Sequence, residues 1–349
     1  MRTGYSPGAA PGNRIALVFA MVSRSLITIG AAALALGFAS APVPAQEKYP
    51  DRPIRLVVPF APGGETDLIG RLWAKKVTPH LGGSIVIENR PGGGGSVATA
   101  EVARAKPDGY TLLSGTTSTH VVNPVATSNP TYDPVRDFTP IAVVSTTPTS
   151  MLVHPAVPAK DLQELVALIK ENPGKYSYGS AGHGTMTNLT GELFKLLAGG
   201  LDLVHVPYKG GGPALQDLVA GHIAVATMIL STSVVGHHRA GRLRILAVNS
   251  EARVKAAPDI PTATESGLPG LKVIVFNAIF APAGTPATAI ETLSQATAKA
   301  KADETFARDL EHGGAEMVAD SDPESASRFI RDEVARWTPI VKATGFKVE

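Results

Sequence analysis

Two stretches of this chain have the residue types and order of an anion cradle. The first is VVPFAPGGETDLIG, Val57 to Gly70: an apolar run ending in a proline, a Pro-Gly-Gly turn, then Glu65, Thr66 and Asp67 leading into a helical pattern. The second is YSYGSAGHGTMTNLTGELFK, Tyr176 to Lys195. It repeats the order strand, small polar loop, helix, with Ser180, Gly182, His183, Gly184 and Thr185 ahead of Met186–Leu197. A helix N-terminus carries unpaired N–H groups and the positive end of the peptide dipoles, so either stretch suits a negatively charged oxygen. A carboxylate gains ~0.3–1 kcal/mol from an exposed terminus and ~2 kcal/mol when partly buried. Each backbone N–H donated to a charged oxygen adds ~1.5–3 kcal/mol. Glycine-rich joints are also ordinary βα turns in which glycine merely supplies a positive φ. The pairing favours the ligand reading, because two such loops facing across a cleft could hold a dicarboxylate without an arginine. Thr185 is the expected N-cap of its helix. Glu65 is the anomaly, a carboxylate set in the middle of an anion site.

Other chemistries lack a framework. There is no cysteine among the 349 residues, which removes disulfides, thiolate metal sites and cysteine nucleophiles. A third glycine stretch, ENRPGGGGSVATAEVARA, misses the dinucleotide spacing because Val97 stands where the last glycine would follow Gly92 and Gly94. It also lacks the Gly-Lys-Ser/Thr end of a P-loop. It reads as packing plus a tight turn, with Asn89 and Arg90 as cleft or domain-bracing groups. The nine histidines form no ligand pattern. His237 and His238 are adjacent on a helix and diverge by about 100°. Gly179-Ser180-Ala181-Gly182 is not a nucleophile elbow, since Tyr178 holds the position of its first glycine. No catalytic residue, metal or cofactor is expected.

The elements that must position these loops alternate. Ile54–Val58, Ile85–Ile87, Tyr110–Leu113, Val204–Pro207, Ile223–Met228 and Ile245–Val248 read as strands. Helical patterns lie near residues 67–80, 96–105, 160–171, 186–198, 213–220 and 233–240. The nearly unbroken apolar character of the runs suits buried parallel strands. The order predicts an α/β protein with mostly parallel sheets flanked by helices. In the helical C-terminal third, Thr285-Pro286 and Asp322-Pro323 each place a capping residue before a proline at the first helical position. Two extended stretches without helices, Ile141–His154 and Val273–Phe280, are the expected crossings between two domains. They predict a discontinuous domain of residues 46–147 and 277–349 and an inserted one of 148–276, with the ligand between them.

The chain begins with export anatomy. After Met21 come Arg24, an apolar run from Leu26 to Phe38 and a small-residue exit ending at Ala45, so residues 1–45 read as a cleaved signal peptide with translation starting at Met21. Of the 32 basic residues three (Arg2, Arg14 and Arg24) lie in this leader, which has no acid, leaving 29 basic against 30 acidic residues in the mature chain. That near-neutral balance gives no reason to expect nucleic acid as a partner.

The chain resembles the Bug family, the TctC-type periplasmic receptors of tripartite tricarboxylate transporters. The blocks that carry the resemblance stand in family order from residue 48 onward: YPDRPIRLVVPFAPGGETD, ENRPGGGGSVATAEVARAKPDGYTLL, YDPVRDFTPIAVV, YGSAGHGTMTNLTGELFK, LVHVPYKGGGPALQDLVAGHIAV, AGRLRILAV and FAPAGTP. The resemblance implies a two-domain flytrap, the Venus flytrap architecture of periplasmic binding proteins, closing on a small organic acid held by the two glycine loops. Carried over by position, the first loop offers Phe60, Pro62, Gly63, Gly64, Glu65, Thr66 and Asp67, and the second Ser180, Gly182, His183, Gly184 and Thr185. Tyr208 and Lys209 of the PYKG motif stand near the same cleft, and Asp67 is expected to brace its loop. The chain departs from the family where Phe276-Asn277 replaces Trp-Tyr, where Met228-Ile229 replaces an Asp-Asn pair, and where Glu65 replaces a small or neutral residue.

The expectation is therefore a monomeric periplasmic solute-binding protein that captures a mono- or dicarboxylate, amino- or hydroxy-substituted or aromatic, for a membrane permease of the tripartite type. A ligand-dependent sensor for a signalling partner is the alternative, and a hydrolase using Ser180 with His183 a weaker one. If Glu65 points into the cleft, the solute should carry an amine, amide or hydroxyl beside its carboxylate. If it points to solvent, simple diacids remain open.

Overall fold

The protein is described by a computed structural model covering residues 1–6, 8 and 49–347. The signal-peptide reading and its start at Met21 fall outside the described residues. The first half of the fold contains β1 (Ile54–Val58), α1 (Glu65–Leu81), β2 (Ile85–Asn89), α2 (Ser96–Ala103), β3 (Thr111–Thr116), a single turn α3 (Asn123–Ala126), β4 (Phe138–Val153) and α4 (Leu162–Glu171). Next come β5 (Ser177–Ser180), α5 (Met186–Leu197), β6 (Val204–Pro207), α6 (Gly211–Ala220), β7 (Val225–Ile229), α7 (Thr232–Arg239) and β8 (Arg244–Val248). The chain closes with β9 (Ile274–Pro282), α8 (Ala287–Lys301), α9 (Glu304–Glu311), β10 (Glu316–Met317) and α10 (Pro323–Ala343).

The strands join in the order β2-β1-β3-β9-β4-β7-β5-β6, with β8 and β10 both paired to β4. At one wing β1 runs parallel to β2 and β3, and at the other β5 runs parallel to β6 and β7. Parallel neighbours need a crossover, and the helices supply it. The middle is antiparallel. β4 pairs with β9 from Phe138↔Pro282 to Pro148↔Ile274, and from Thr149 onward it pairs with β7 and β8. One 16-residue strand thus serves both wings, and the sheet is parallel at its wings and antiparallel at its centre. The result is a two-winged α/β architecture whose halves share β4 and β9.

Three apolar clusters hold these layers. Ile54, Leu56, Leu112, Ile141 and Ile279 pack under α1, α8 and α9 at the first wing. Leu152, Ala226, Met228 and Ile245 pack with Leu215, Leu218 and Val234 at the second. A third cluster runs along the centre from Val57 and Phe280 through Phe276 and Met151 to Tyr178 and Leu189. Both wings therefore share a core beneath β4 and β9.

One expected helix start moves. α8 begins at Ala287 with Pro286 as its N-cap, at φ −53° and ψ 136°, and the Thr285 hydroxyl donates back to the Pro282 carbonyl. Pro286 is extended and therefore lies outside the helix, not at its first position. Asp322-Pro323 does behave as expected. Asp322 accepts from the Ser325 N–H, Ser325 answers with a capping box, and Pro323 is the first helical residue.

Helix α1 carries the first glycine loop at its N-terminus, and Trp73 anchors it. The Trp73 indole is fully buried and its Nε1–H donates to the Thr297 hydroxyl of α8 at 3.2 Å. Truncation opens a large cavity and removes the donor to the Thr297 hydroxyl, which keeps its own bond to the Leu293 carbonyl, so Trp73→Ala should lower the unfolding free energy by about 3–5 kcal/mol in urea denaturation.

Candidate functional site

Four helices begin at one cavity between the wings. It is lined by Gly63, Gly64, Glu65 and Thr66 at the start of α1, by Ala181 and Thr187 at the start of α5, by Gly211 at the start of α6 and by Ser231, the N-cap of α7. Phe60, Leu215, Thr227, Met228 and Ile229 complete its wall. Among the described residues no lysine, arginine or histidine lines it. Helices α5 and α7 are capped by their own side chains, Thr185 accepting from Asn188 N–H and Ser231 from Val234 N–H. Helices α1 and α6 start at Gly64 and Gly210 with no side-chain cap. Their first N–H groups have no intrahelical acceptor and face the cavity end of each helix, the arrangement that suits an anionic oxygen.

The first loop is braced from behind. Asp67 Oδ2 accepts from the Gly63 N–H and from Arg71 Nε, both at 3.0 Å, while Asn89 Nδ2 donates to Asp67 Oδ1 at 2.9 Å and to the Phe60 carbonyl at 3.0 Å. Burial raises the Asp67 carboxyl, but Arg71, the Gly63 amide and Asn89 together hold it below the usual carboxylate range. Its charge is directed into the loop. Arg90 instead pairs with Glu88 and Glu101 at the surface.

Glu65 is 6% exposed. Its Oε1 accepts from the Thr147 hydroxyl of β4 at 2.8 Å and from Asn277 Nδ2 of β9 at 2.7 Å. Its Oε2 is buried without a protein partner, and Glu65 makes no ion pair among the described residues. Burial raises its carboxyl to about 7 despite the opposing hydrogen bonds of Thr147, Asn277 and Thr66. Asn277 holds Glu65, and Met228 and Ile229 stand in the same cavity wall.

The second loop divides its residues differently from the sequence expectation. Ser180 is fully buried, its hydroxyl 2.7 Å from His205 Nε2 and within 3.3 Å of the Gly182 carbonyl. Burial lowers His205 to about 4. The pair is thus Ser180 with His205, not with His183, and a buried hydroxyl beside so weak a base has neither access nor activation for attack. Gly182, His183 and Tyr208 line a second, adjoining cavity with Gly92–Gly95, Pro207 and Lys209. The Tyr208 hydroxyl donates to Asp217 at 2.6 Å. Thr185 hydrogen-bonds within its loop, to the Gly182 carbonyl at 2.6 Å. Pro62, Asp67, Ser180, Gly184 and Thr185 line neither cavity, and the Pro62 carbonyl oxygen abuts Gly212 instead.

The wings meet backbone to backbone. Ala61 N–H donates to the Lys209 carbonyl at 3.0 Å, and Met186 N–H to Ser118 Oγ at 2.9 Å. A Cβ on Gly64 would lie 3.2 Å from the Gly211 amide, and one on Gly212 would run into the Pro62 carbonyl oxygen. The third glycine run approaches His183 in the same way: a Cβ on Gly94 would overlap the His183 carbonyl. It does more than turn the chain.

Thr187, Gly211, Thr227 and Ser231 in the cavity wall were not anticipated as site residues. Two of them had a signal, since Gly210-Gly211-Gly212-Pro213 and Leu230-Ser231-Thr232 are further strand–loop–helix joints. Thr147 and His205 had none, because each meets its partner only through the sheet.

These features have known counterparts. The model of the tripartite tricarboxylate transporter family receptor matches residues 69–346. The chain belongs to that receptor family. It is 34% identical over 329 residues to the protein BugT of Bordetella pertussis, covering 94% of this chain and 99% of BugT. Among solved structures, MatC of Rhodopseudomonas palustris with bound malate is 33% identical with a TM-score of 0.80, covering 84% of this chain and all of MatC. A second R. palustris protein, solved with adipate, is 33% identical with a TM-score of 0.81 and coverages of 86% and 99%. Among the described residues no helix is long and apolar enough to cross a membrane, and no cluster of His, Asp and Glu forms a metal set.

Two outcomes follow from this geometry. Gly212 is helical, so alanine there suits its own helix while obstructing the approach of Pro62. Gly212→Ala should keep the melting temperature within a few degrees and weaken solute binding at least tenfold, with small-angle scattering showing the more open form. For Glu65, the native carboxyl holds its proton above the unfolded value of 4.5. Its contribution to stability is therefore complete below pH 4.5 and is lost as pH rises to about 7. Relative to Glu65→Gln, the wild type should lose up to about 3 kcal/mol across that window, read from urea denaturation at stepped pH.

Proposed function

We propose that this chain is an exported, monomeric solute-binding protein that captures a small carboxylate between its two lobes and presents it to a membrane permease of the tripartite tricarboxylate type. The observation that carries the reading is the meeting of four helix N-termini, two of them without side-chain caps, on a cavity without a basic side chain. Such a wall stabilises a carboxylate through fixed backbone dipoles and would do little for a cation or a neutral solute. Malate and adipate in the two related structures are carboxylates of the size class proposed here. The lobes are residues 46–147 with 277–349 and residues 148–276, moving about β4 and β9. Solute contacts to both lobes shift the population toward the closed form, and no bond is made or broken.

Melting curves and calorimetry against mono-, di- and tricarboxylates, amino acids and aromatic acids test this. At least one dicarboxylate should raise the melting temperature in proportion to the logarithm of its concentration. A flat response to every acid, with no acid released from the natively purified protein on denaturation, would sink the proposal.

A further inference from the structure

The anion site contains its own carboxyl group, and its surroundings indicate the state in which that group meets a solute. Glu65 Oε1 accepts two hydrogen bonds, from Thr147 and Asn277. An oxygen accepting two donors is the carbonyl-like oxygen of a carboxylic acid as readily as half of a carboxylate. Oε2 is the one left buried and unpartnered. No cation compensates it. Thr147 and Asn277, its neighbours from β4 and β9, are neutral. Asp67, in the same turn of α1, is engaged by Arg71. Asp309 of α9 is the one other charged side chain lining the cavity on the far side of Glu65, and it is paired with Lys76. An ionised Glu65 beside a bound carboxylate would place two like charges in a site that excludes water, which costs far more than at the surface.

We infer that Glu65 meets the solute as a neutral carboxylic acid, with the proton on Oε2 donated to a carboxylate oxygen of the solute, so that Glu65 selects an anion and couples its capture to proton uptake. This inference rests on the carboxylate-receptor reading and adds the recognising group to it. Thr147 and Asn277 act as positioning residues: by occupying Oε1 they leave Oε2 as the atom that carries the proton. When the free protein has Glu65 ionised, binding takes one proton from solvent onto Oε2. The charge brought into the cavity is then that of the solute alone. Burial, which already raises this carboxyl, acts in the same direction.

The test uses the mature protein and two probes, malate and adipate, with aspartate as the amine-bearing control. Calorimetry from pH 6 to 8.5 in buffers of different ionisation enthalpy should show uptake of up to one proton per diacid bound at the alkaline end. The Kd should rise up to tenfold per pH unit above the Glu65 transition. Glu65→Gln, whose amide donates at every pH, should flatten this profile and bind the diacid about tenfold tighter than wild type at pH 8.5. Glu65→Ala should bind at least tenfold weaker at pH 6, with its melting curve recorded to confirm folding. A separate readout needs no solute: a 13C carboxyl titration of the free protein should show one glutamate titrating near neutrality that vanishes in Glu65→Gln. A Glu65 carboxyl that titrates in the ordinary acid range overturns the inference and leaves the carboxylate receptor standing. So does proton release on binding, or a preference for aspartate over malate that Glu65→Gln abolishes, which would make Glu65 an ionised partner for an amine. A panel in which no acid binds overturns the receptor reading itself, and the inference with it.

Discussion

A buried carboxylate needs compensation for the water it loses, and in the proposed site backbone dipoles would have to supply it, because among the described residues no cationic side chain lines the cavity. Fixed backbone dipoles can do this only if several helix N-termini point at one place, because the effect of each fades within a turn. That requirement organises the molecule. α1 comes from one wing and α5, α6 and α7 from the other, so both wings wall the cavity. The wings touch backbone to backbone at Gly64–Gly211 and Pro62–Gly212, where a side chain would find no room.

The sheet joins the wings. β4 belongs to both wings, changing partners between Pro148 and Thr149, and β9 runs beside its first part. Thr147 lies one residue before that change and Asn277 opposite Ser145, and both hold Glu65. The Glu65 carboxyl is therefore fastened to the strands that both wings share, in a cavity also lined by the uncapped starts of α1 and α6. A solute that engages both would sense lobe position and protonation together.

Much of the architecture was legible in advance. Unbroken apolar runs at Ile54–Val58 and Ile245–Val248 read as strands because burial on both faces leaves no polar alternation. The long extended stretches at Ile141–His154 and Val273–Phe280 read as such because nothing in them has helical period, and they became β4 and β9. Their antiparallel pairing was not legible, since strand direction depends on which neighbours the crossovers deliver. Pro286 was misplaced by one position because proline at the first helical turn and proline just before it share the same φ and differ in ψ.

The sequence by itself determined the parts of the site that depend on local chemistry: two glycine loops at helix starts, Thr185 as a cap, Asp67 as a brace, and the oddity of Glu65. These follow from backbone rules that act within a few residues. Tertiary structure alone decided which helix starts share a cavity, bringing in α6 and α7 and sending Ser180 to His205, and moving His183 and Tyr208 to a neighbouring space. It also decided what Glu65 faces. A carboxyl's charge state depends on desolvation and on partners such as Thr147 and Asn277, which lie 82 and 212 residues away along the chain and meet it only through the folded sheet.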